Sequence, residues 1–466
     1  MRVRGPILSL SLACGTALLF AAVFVIIVPS VVGAAGVVGT GASTSCTDAA
    51  LDTALVDGGL VTFDCGGAAT IDISTGTGTK MIDTDTTVDG GGRIIISGGN
   101  AVTVFSLNSG VTFTVKNLTI TDGRVSGGNG GGMTNNGGSL SVTNCTMSGN
   151  SASEGVGGGI INFSGTLTVT NSTFTGNSAD VGGGGIVNNG GSVTVANSTF
   201  SGNRAGAVGG GGSGGAIYNN SGSLTVSNST FSGNSAVNGY GGGILNADGA
   251  GPLTITNSTF TDNSADDAGG GILNAGGALV RNTLLANSPS GRNCSGSITD
   301  GGHNLDDGTS CGFSAANGSL SGTDPQLDPA GLHNNGGPTQ TVALCLAVGV
   351  PAGCTGTSAA IDAGDQDICA MAPVNDLDQR GIVRPGAGHT HCSVGAYEAD
   401  AAPQECIGDC AGTQMVAVND IITLVNIALG NAQPSACPHG IASGADVTVV
   451  VIIEAVNNAL NGCGVG

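Results

Sequence analysis

The stretch that decides the fold is Leu167-Thr168-Val169-Thr170-Asn171-Ser172-Thr173-Phe174-Thr175-Gly176-Asn177-Ser178-Ala179. Leu167 and Val169 alternate with Thr168 and Thr170, so one face of a short strand is apolar and the other hydroxylated. The next large apolar residue, Phe174, comes three places after Asn171 rather than two, so the chain turns at the asparagine. The pattern recurs on Asn117, Asn144, Asn171, Asn197, Asn228, Asn257 and Asn282, at spacings of 27, 27, 26, 31, 29 and 25 residues. Two places before most of them stands Val142, Val169, Val195, Val226 or Ile255. Three places after comes Ile120, Met147, Phe174, Phe200, Phe231, Phe260 or Leu285. Six places after, a second asparagine recurs at Asn150, Asn177, Asn203, Asn234 and Asn263. Upstream, a Gly-Gly-Ile-x-Asn signal recurs at Ile160, Ile186, Ile244 and Ile272.

Strands this short hide their apolar face only by stacking on copies of themselves. Three strands per repeat, separated by turns, make one coil, and coils stack with parallel strands about 4.8 Å apart. The expected fold is all-β: a right-handed parallel β-helix solenoid with a small α-helical C-terminal module. Its hand follows from the general crossover rule. A β-sandwich, the rival, needs no such register of like residues. Stacking predicts a Leu/Val column, a Phe column and two buried Asn columns whose amides bond along the stack. Asn-x-Ser/Thr triplets such as Asn171-Ser172-Thr173 are then packing residues closed inside the coil, not glycosylation sites. The expected divisions are a signal segment at 1–35, an N-terminal cap at 37–85, coils at 86–289, a loop-rich segment closing the far end at 290–400, and a helical pair at 405–466.

Composition agrees. Among 466 residues there are 87 glycines, 3 tyrosines and no tryptophan, without the glycine-every-third period of collagen. Eleven Lys and Arg against 32 Asp and Glu give a formal net charge of −21, which repels a phosphate backbone and excludes nucleic acid as a partner. Arg2 and Arg4 precede an apolar run from Leu8 to Val32, and Val32-Gly33-Ala34 supplies a small-residue cleavage signal. This predicts export to an extracellular or cell-surface location, with membrane contact only if that segment stays uncleaved. Of 14 cysteines, Cys14 lies in the signal. In an oxidising compartment, sequence-local pairs are the simplest disulfides. These are Cys46 with Cys65, Cys294 with Cys311, Cys345 with Cys354, and Cys369 with Cys392. Cys406, Cys410, Cys437 and Cys463 form a last group, and Cys145 is left over. No compact CxxC pair exists and the five histidines are scattered, which argues against a zinc or iron–sulfur site.

The units Gly-Gly-Gly-Ile-x-Asn and Asn-Ser-Thr-Phe-(Ser/Thr)-Gly-Asn-Ser-Ala resemble exported bacterial right-handed parallel β-helix proteins of the polymorphic outer-membrane and choice-of-anchor type. Residues 324–327 and 336–339, Ala360-Ile361-Asp362-Ala363-Gly364, Asp378-Gln379-Arg380-Gly381 and Val394-Gly395-Ala396-Tyr397-Glu398 are similar to the end segment of the choice-of-anchor kind. The resemblance covers roughly residues 45–400 and implies a location more than an activity. Residues 405–466 resemble a dockerin-like pair of EF-hand-type repeats. In that family the loop takes oxygen ligands at positions 1, 3, 5 and 12, with Gly at 6. Here Asp409 falls at 1, Ala411 at 3, Thr413 at 5, Gln414 at 6 and Asp420 at 12. The resemblance therefore implies Asp409 and Asp420 as metal ligands, no resident cofactor beyond weakly held calcium, and a protein partner for the tail.

Two functions compete. One is a non-catalytic exported surface or structural protein, adhesive or carbohydrate-binding through the solenoid face. The loop after each second asparagine varies most, as at Glu154, Asp180, Arg204 and Asp266-Asp267; a recognition face and a tolerant solvent loop both look like this. The other is a polysaccharide lyase or hydrolase, which needs paired carboxylates or a carboxylate cluster beside a base. Its candidates are Glu154, Asp180 and Arg204, or Asp262, Asp266, Asp267 and Arg281, with Tyr218 and Tyr240 the aromatics for sugars. On the first view the chain is no enzyme and Asp180 is a solvent side chain whose loss costs little.

Overall fold

The computed structural model describes residues 36–206, 211–399, 406–410, 415–437, 440–441 and 447–461. The expected signal segment and Cys463 lie outside these residues.

Leu167 pairs in parallel with Leu140 on one side and Val193 on the other, and Val169 with Val142 and Val195. The register continues through Leu224 and Leu253. Beyond the asparagine, Phe174 sits between Met147 and Phe200. The rings of Phe174, Phe200, Phe231 and Phe260 stack at centroid separations of 4.8, 4.8 and 4.5 Å, with planes within 12° of parallel. That separation is the spacing of strands in a sheet, so each ring lies over the one below. The result is an all-β parallel solenoid, followed in the chain by helices Val418–Ala428 and Val449–Asn461.

The coils carry a short strand beyond the three expected, and in two of them two expected strands run on as one, at Ile186–Ala196 and Ile217–Ser227. The extra one follows the second asparagine, as Ser151–Ser153, Ser178–Ala179, Arg204–Ala205, Ser235–Ala236 and Ser264–Ala265. Its inward residue is alanine, buried at 0–1% exposure. A methyl group is too small to stand out as an apolar mark in the sequence.

The asparagine columns differ from expectation too. The corner residues Asn117 to Asn282 adopt left-handed backbone with φ of 43–56°, which asparagine tolerates better than most residues. Their side chains leave the coil: Asn144 is exposed, and Asn228, Asn257 and Asn282 are buried only beneath a later segment. The triplets at these corners are therefore not closed inside. The inward place belongs to the next residue. Ser172, Ser198, Ser229 and Ser258 are each 0% exposed, and each hydroxyl accepts the backbone N–H of the equivalent residue one coil earlier. Two interior amide ladders do exist. Asn150, Asn177, Asn203, Asn234 and Asn263 are linked Nδ2 to Oδ1 at 2.9 Å. The asparagine of the Gly-Gly-Ile-x-Asn unit forms the other, from Asn135 through Asn162, Asn188, Asn219 and Asn246 to Asn274. Tight glycine turns lead into this second ladder: a Cβ on Gly158 would meet the Ser178 carbonyl at 2.3 Å.

Cys145 is the free thiol among the described residues and occupies the inward place held by Ser172 in the next coil. Burial pushes its thiol up to about 12. It is therefore expected to resist alkylation at pH 8 in the native protein and to react once the chain is unfolded, which mass spectrometry of iodoacetamide-treated protein checks.

At the N-terminal end, helix Asp48–Leu55 lays Leu51 and Ala54 against Val38 and Val61 and covers the exposed edge of the first coil. Lys80, 2% exposed, is held there by the carboxylates of Asp48 and Asp52, the latter at 2.6 Å. Disulfides join Cys46 to Cys65, Cys294 to Cys311, Cys345 to Cys354, Cys369 to Cys392 and Cys410 to Cys437.

The stretch expected to close the far end does more than that. Parallel pairing runs past residue 289, through Cys294, Thr299, Leu305 and Leu320. Residues 326–399 then turn back along the flank as a strap. Thr339 Oγ1 donates to the Asn197 carbonyl at 3.1 Å, three coils before the last asparagine corner at Asn282. Asn228 Nδ2 donates to the Leu377 carbonyl at 2.9 Å, and Asn282 Nδ2 to the Asp365 carbonyl at 3.0 Å. The strap has its own polar core. Arg384, fully buried, donates to the Ser393 and Gly395 carbonyls at 2.8 and 2.7 Å and to Glu398 at 3.1 Å. Glu398 in turn accepts the N–H groups of Gly386 and Ser393. Arg380 pairs with Asp378 at 2.6 Å and lies over the Tyr397 ring. The motif residues at 378–381 and 394–398 thus fasten the strap.

Candidate functional site

The strand that ends at each corner asparagine presents its alternate residues outward. Ser139, Thr166, Ser192 and Ser223 make one row, and Ser141, Thr168, Thr194, Thr225 and Thr254 the next. From residue 139 to 256 the outward places on this face hold Ser, Thr or Ala, with Pro252 the exception in the first row, and no charge. Lys116, paired with Asp89 at 3.2 Å, bounds it at one end and Arg281 at the other. Rows repeat at the strand spacing of about 4.8 Å, with about 6.6 Å between hydroxyls along a strand. Beside the first row runs a shallow groove of ≈ 260 Å³ floored by glycine, lined by Gly137, Gly138 and Gly165 with Thr112, Ser139 and Thr166. Hydroxyls that both donate and accept, on a flat neutral lattice, suit an uncharged hydroxylated ligand.

The variable corner is different. Asp180 is not a free solvent carboxylate: its Oδ2 accepts the Glu154 N–H at 2.7 Å, where Glu154 holds φ of +60°. Asp266 does the same for Asn238 at 2.8 Å. These carboxylates cap the corner of the preceding coil. Asp180→Ala is expected to cost about 1 kcal/mol, read as a lower midpoint in urea, rather than nothing. Arg204 makes no ion pair with Glu154 or Asp180 among the described residues.

Asp262, Asp266, Asp267 and Arg281 do not gather. Asp262 precedes strand Ser264–Ala265 and takes a hydrogen bond from Thr261 at 3.1 Å, whereas Asp266 and Asp267 follow that strand. Arg281 stands in the hydroxyl face, in register with Thr256. A residue not marked by the sequence joins Asp267 instead: Arg292 lines a groove of ≈ 400 Å³ with Asp267, Gly291 and Ser295. Tyr218 donates its hydroxyl to Asn220 at 2.6 Å, and burial raises its pKa. Tyr240 is exposed at the variable corner.

Residues 61–288 match a family model described as a right handed beta helix region. This part of the chain is a right-handed parallel β-helix. No curated protein and no solved structure matches the chain. The β-helix carries two outer faces of contrasting chemistry, a neutral hydroxyl lattice and a charged, irregular corner. Sequence pattern did not mark the first as a site, because Ser and Thr rows read as ordinary strand exteriors.

Two histidines distant in sequence meet the same short segment, Asp362-Ala363. His391 Nδ1 lies 3.7 Å from Asp362, and His303 Nδ1 lies 2.9 Å from the Ala363 carbonyl. The Asp362 carboxyl sits below its ordinary range: slight burial raises it, and the His391 and Thr390 N–H groups with nearby His389 and His391 outweigh that. In the tail, Asp420 Oδ2 accepts the Ala417 N–H at 2.8 Å at the start of helix Val418–Ala428, and Asp409 is 2% exposed. Residues 411–414, with Ala411, Thr413 and Gln414, lie outside the described residues. The helices leave Val418, Ile422 and Leu429, and Val449, Ile453 and Leu460, exposed.

Proposed function

We propose that this chain is an exported, non-catalytic surface or structural protein that binds neutral surface glycans through the hydroxyl face of its β-helix. The observation that carries this is the charge-free Ser/Thr lattice between residues 139 and 256, bordered by the glycine-floored groove. Each hydroxyl exchanges hydrogen bonds with a sugar hydroxyl at small net gain, about 1 kcal/mol. Repetition along the coils multiplies that gain. Net negative charge elsewhere disfavours acidic polymers and nucleic acid. The exposed apolar side chains of the two C-terminal helices support a protein partner for the tail. Membrane attachment, on this view, runs only through an uncleaved N-terminal segment.

The test is retention of the secreted chain on insoluble neutral polysaccharides, with and without calcium. Retention is expected either way, and Thr168→Glu with Thr194→Glu is expected to abolish it by placing two charges in the lattice. Retention unaffected by that double variant sinks the assignment of the face. Turnover of the polysaccharide would instead favour a lyase or hydrolase, and the Asp267–Arg292 groove would be the place to look.

A further inference from the structure

The strap displays how another face of the β-helix receives a peptide. Beyond each corner asparagine, the residue two places on points outward, as Thr173 does. Where the strap lies, these threonines are sealed: Thr199 and Thr230 are 0% exposed. Thr199 Oγ1 donates to the Gln340 carbonyl at 2.5 Å, and Thr259 Oγ1 accepts the Ala396 N–H at 2.9 Å. The strap also inserts one carboxamide. Gln379 accepts from Thr230 Oγ1 at 2.6 Å and donates to Thr199 Oγ1 at 2.8 Å. Every β-helix group in these contacts is neutral. They recognise a peptide backbone and an amide side chain.

The same ranks continue toward the N-terminus. Thr173 is in register with Thr199, Thr146 with Thr173, and Thr119 with Thr146. Among the described residues the strap's hydrogen bonds stop at the rank of Asn197 and Thr199. The three earlier threonines are only half-buried. Two of their corner amides bond each other, Asn144 Nδ2 to Asn117 Oδ1 at 3.2 Å, and Asn117 Nδ2 donates to Asp89 at 3.0 Å, whereas Asn228 and Asn282 turn to strap carbonyls.

We propose that the ranks Asn117/Thr119, Asn144/Thr146 and Asn171/Thr173 form a second seat, continuous with the strap's, for an extended uncharged peptide segment of a partner protein. Three ranks span roughly 10 Å, the length of about three extended residues. So short a seat binds weakly alone, with Kd near ~1 mM. An acidic segment is disfavoured by the chain's net charge of −21. This seat is separate from the hydroxyl face assigned to glycans, and its success or failure does not depend on that assignment.

The probe is a fluorescein-labelled peptide with the sequence of residues 334–341, Asn-Asn-Gly-Gly-Pro-Thr-Gln-Thr, titrated with the full chain and followed by anisotropy. Saturable binding that persists at high salt is expected. Thr146→Val with Thr173→Val is expected to weaken it roughly tenfold, and Thr168→Val, on the neighbouring face, to leave it unchanged. If the threonine pair melts early, Asn144→Gly with Asn171→Gly decides the matter, because glycine accepts the left-handed corner. Absence of saturable binding, equal binding by the variants, equal loss in Thr168→Val, or displacement of the peptide by a neutral oligosaccharide overturns the seat.

Discussion

Phe200→Asp is expected to unfold the middle of the β-helix while Thr168→Ala leaves it intact. Phe200 is 0% exposed and stacked between Phe174 and Phe231 at 4.8 Å on each side. Removing the ring alone opens a cavity worth about 3–5 kcal/mol and forfeits two aromatic contacts of about 0.5–1.5 kcal/mol each. The carboxylate then stands in an apolar column with no cation beside it, which costs several kcal/mol more or forces uptake of a proton. Together these rival the whole stability of an ordinary domain, roughly 5–15 kcal/mol. In a solenoid the damage spreads to the nearest coils first, because each coil contacts only its neighbours. Circular dichroism melts, with proteolytic fragments mapped around residues 171–260, read the effect. Thr168 points outward from the neighbouring strand, and its loss should stay within about 0.5 kcal/mol. Should Phe200→Asp melt together with wild type, the ring column cannot be what holds the coils.

How much of this was legible beforehand depended on side-chain size and on contact range. Leu167, Val169 and Phe174 announce their faces because large apolar groups at fixed offsets have few alternatives. The Ser-Ala strand was missed because Ala179 and its equivalents bury only a methyl group. The corner asparagines were placed inside because repetition alone does not say which way a left-handed residue points; φ of 50° at Asn171 carries its side chain out and Ser172 in. Four local disulfides were readable because short loops bring their cysteines together. The strap was not, because its contacts are polar and remote: Gln379 meets Thr199 across 180 residues with no periodic mark on either side. The candidate faces were hard for a related reason. The charged residues that draw the eye, Asp180 and Asp266, are engaged in capping corners, and the neutral lattice beside them has no catalytic signature.

The interior amide ladder allows a sharper test than the ring column, because one atom can be changed with almost no change in shape. Asn203 is 0% exposed, donates Nδ2 to the Phe174 carbonyl and to Asn234 Oδ1 at 2.9 Å each, and accepts from Asn177 N and Nδ2 at 3.1 and 2.9 Å. Asn203→Asp keeps the acceptor side and turns both donors into oxygen facing oxygen. An ionised carboxylate there has two repulsive contacts and no solvent, so a loss of about 3–5 kcal/mol is expected at neutral pH. The protonated acid regains one donor, so the folded protein holds that proton more tightly than the unfolded chain does. The folded pKa therefore lies above the unfolded value of about 3.9. With more protons bound in the folded state, stability falls as pH rises from the unfolded pKa to the folded one and is flat above it. The gap between variant and wild type should accordingly narrow as pH falls from the raised folded pKa toward about 4 and be smallest below that, read from urea midpoints of both proteins at acid and neutral pH. A gap that stays constant with pH would mean that the new carboxyl reaches solvent, and that the amides of Asn177, Asn203 and Asn234 do not form a closed interior file.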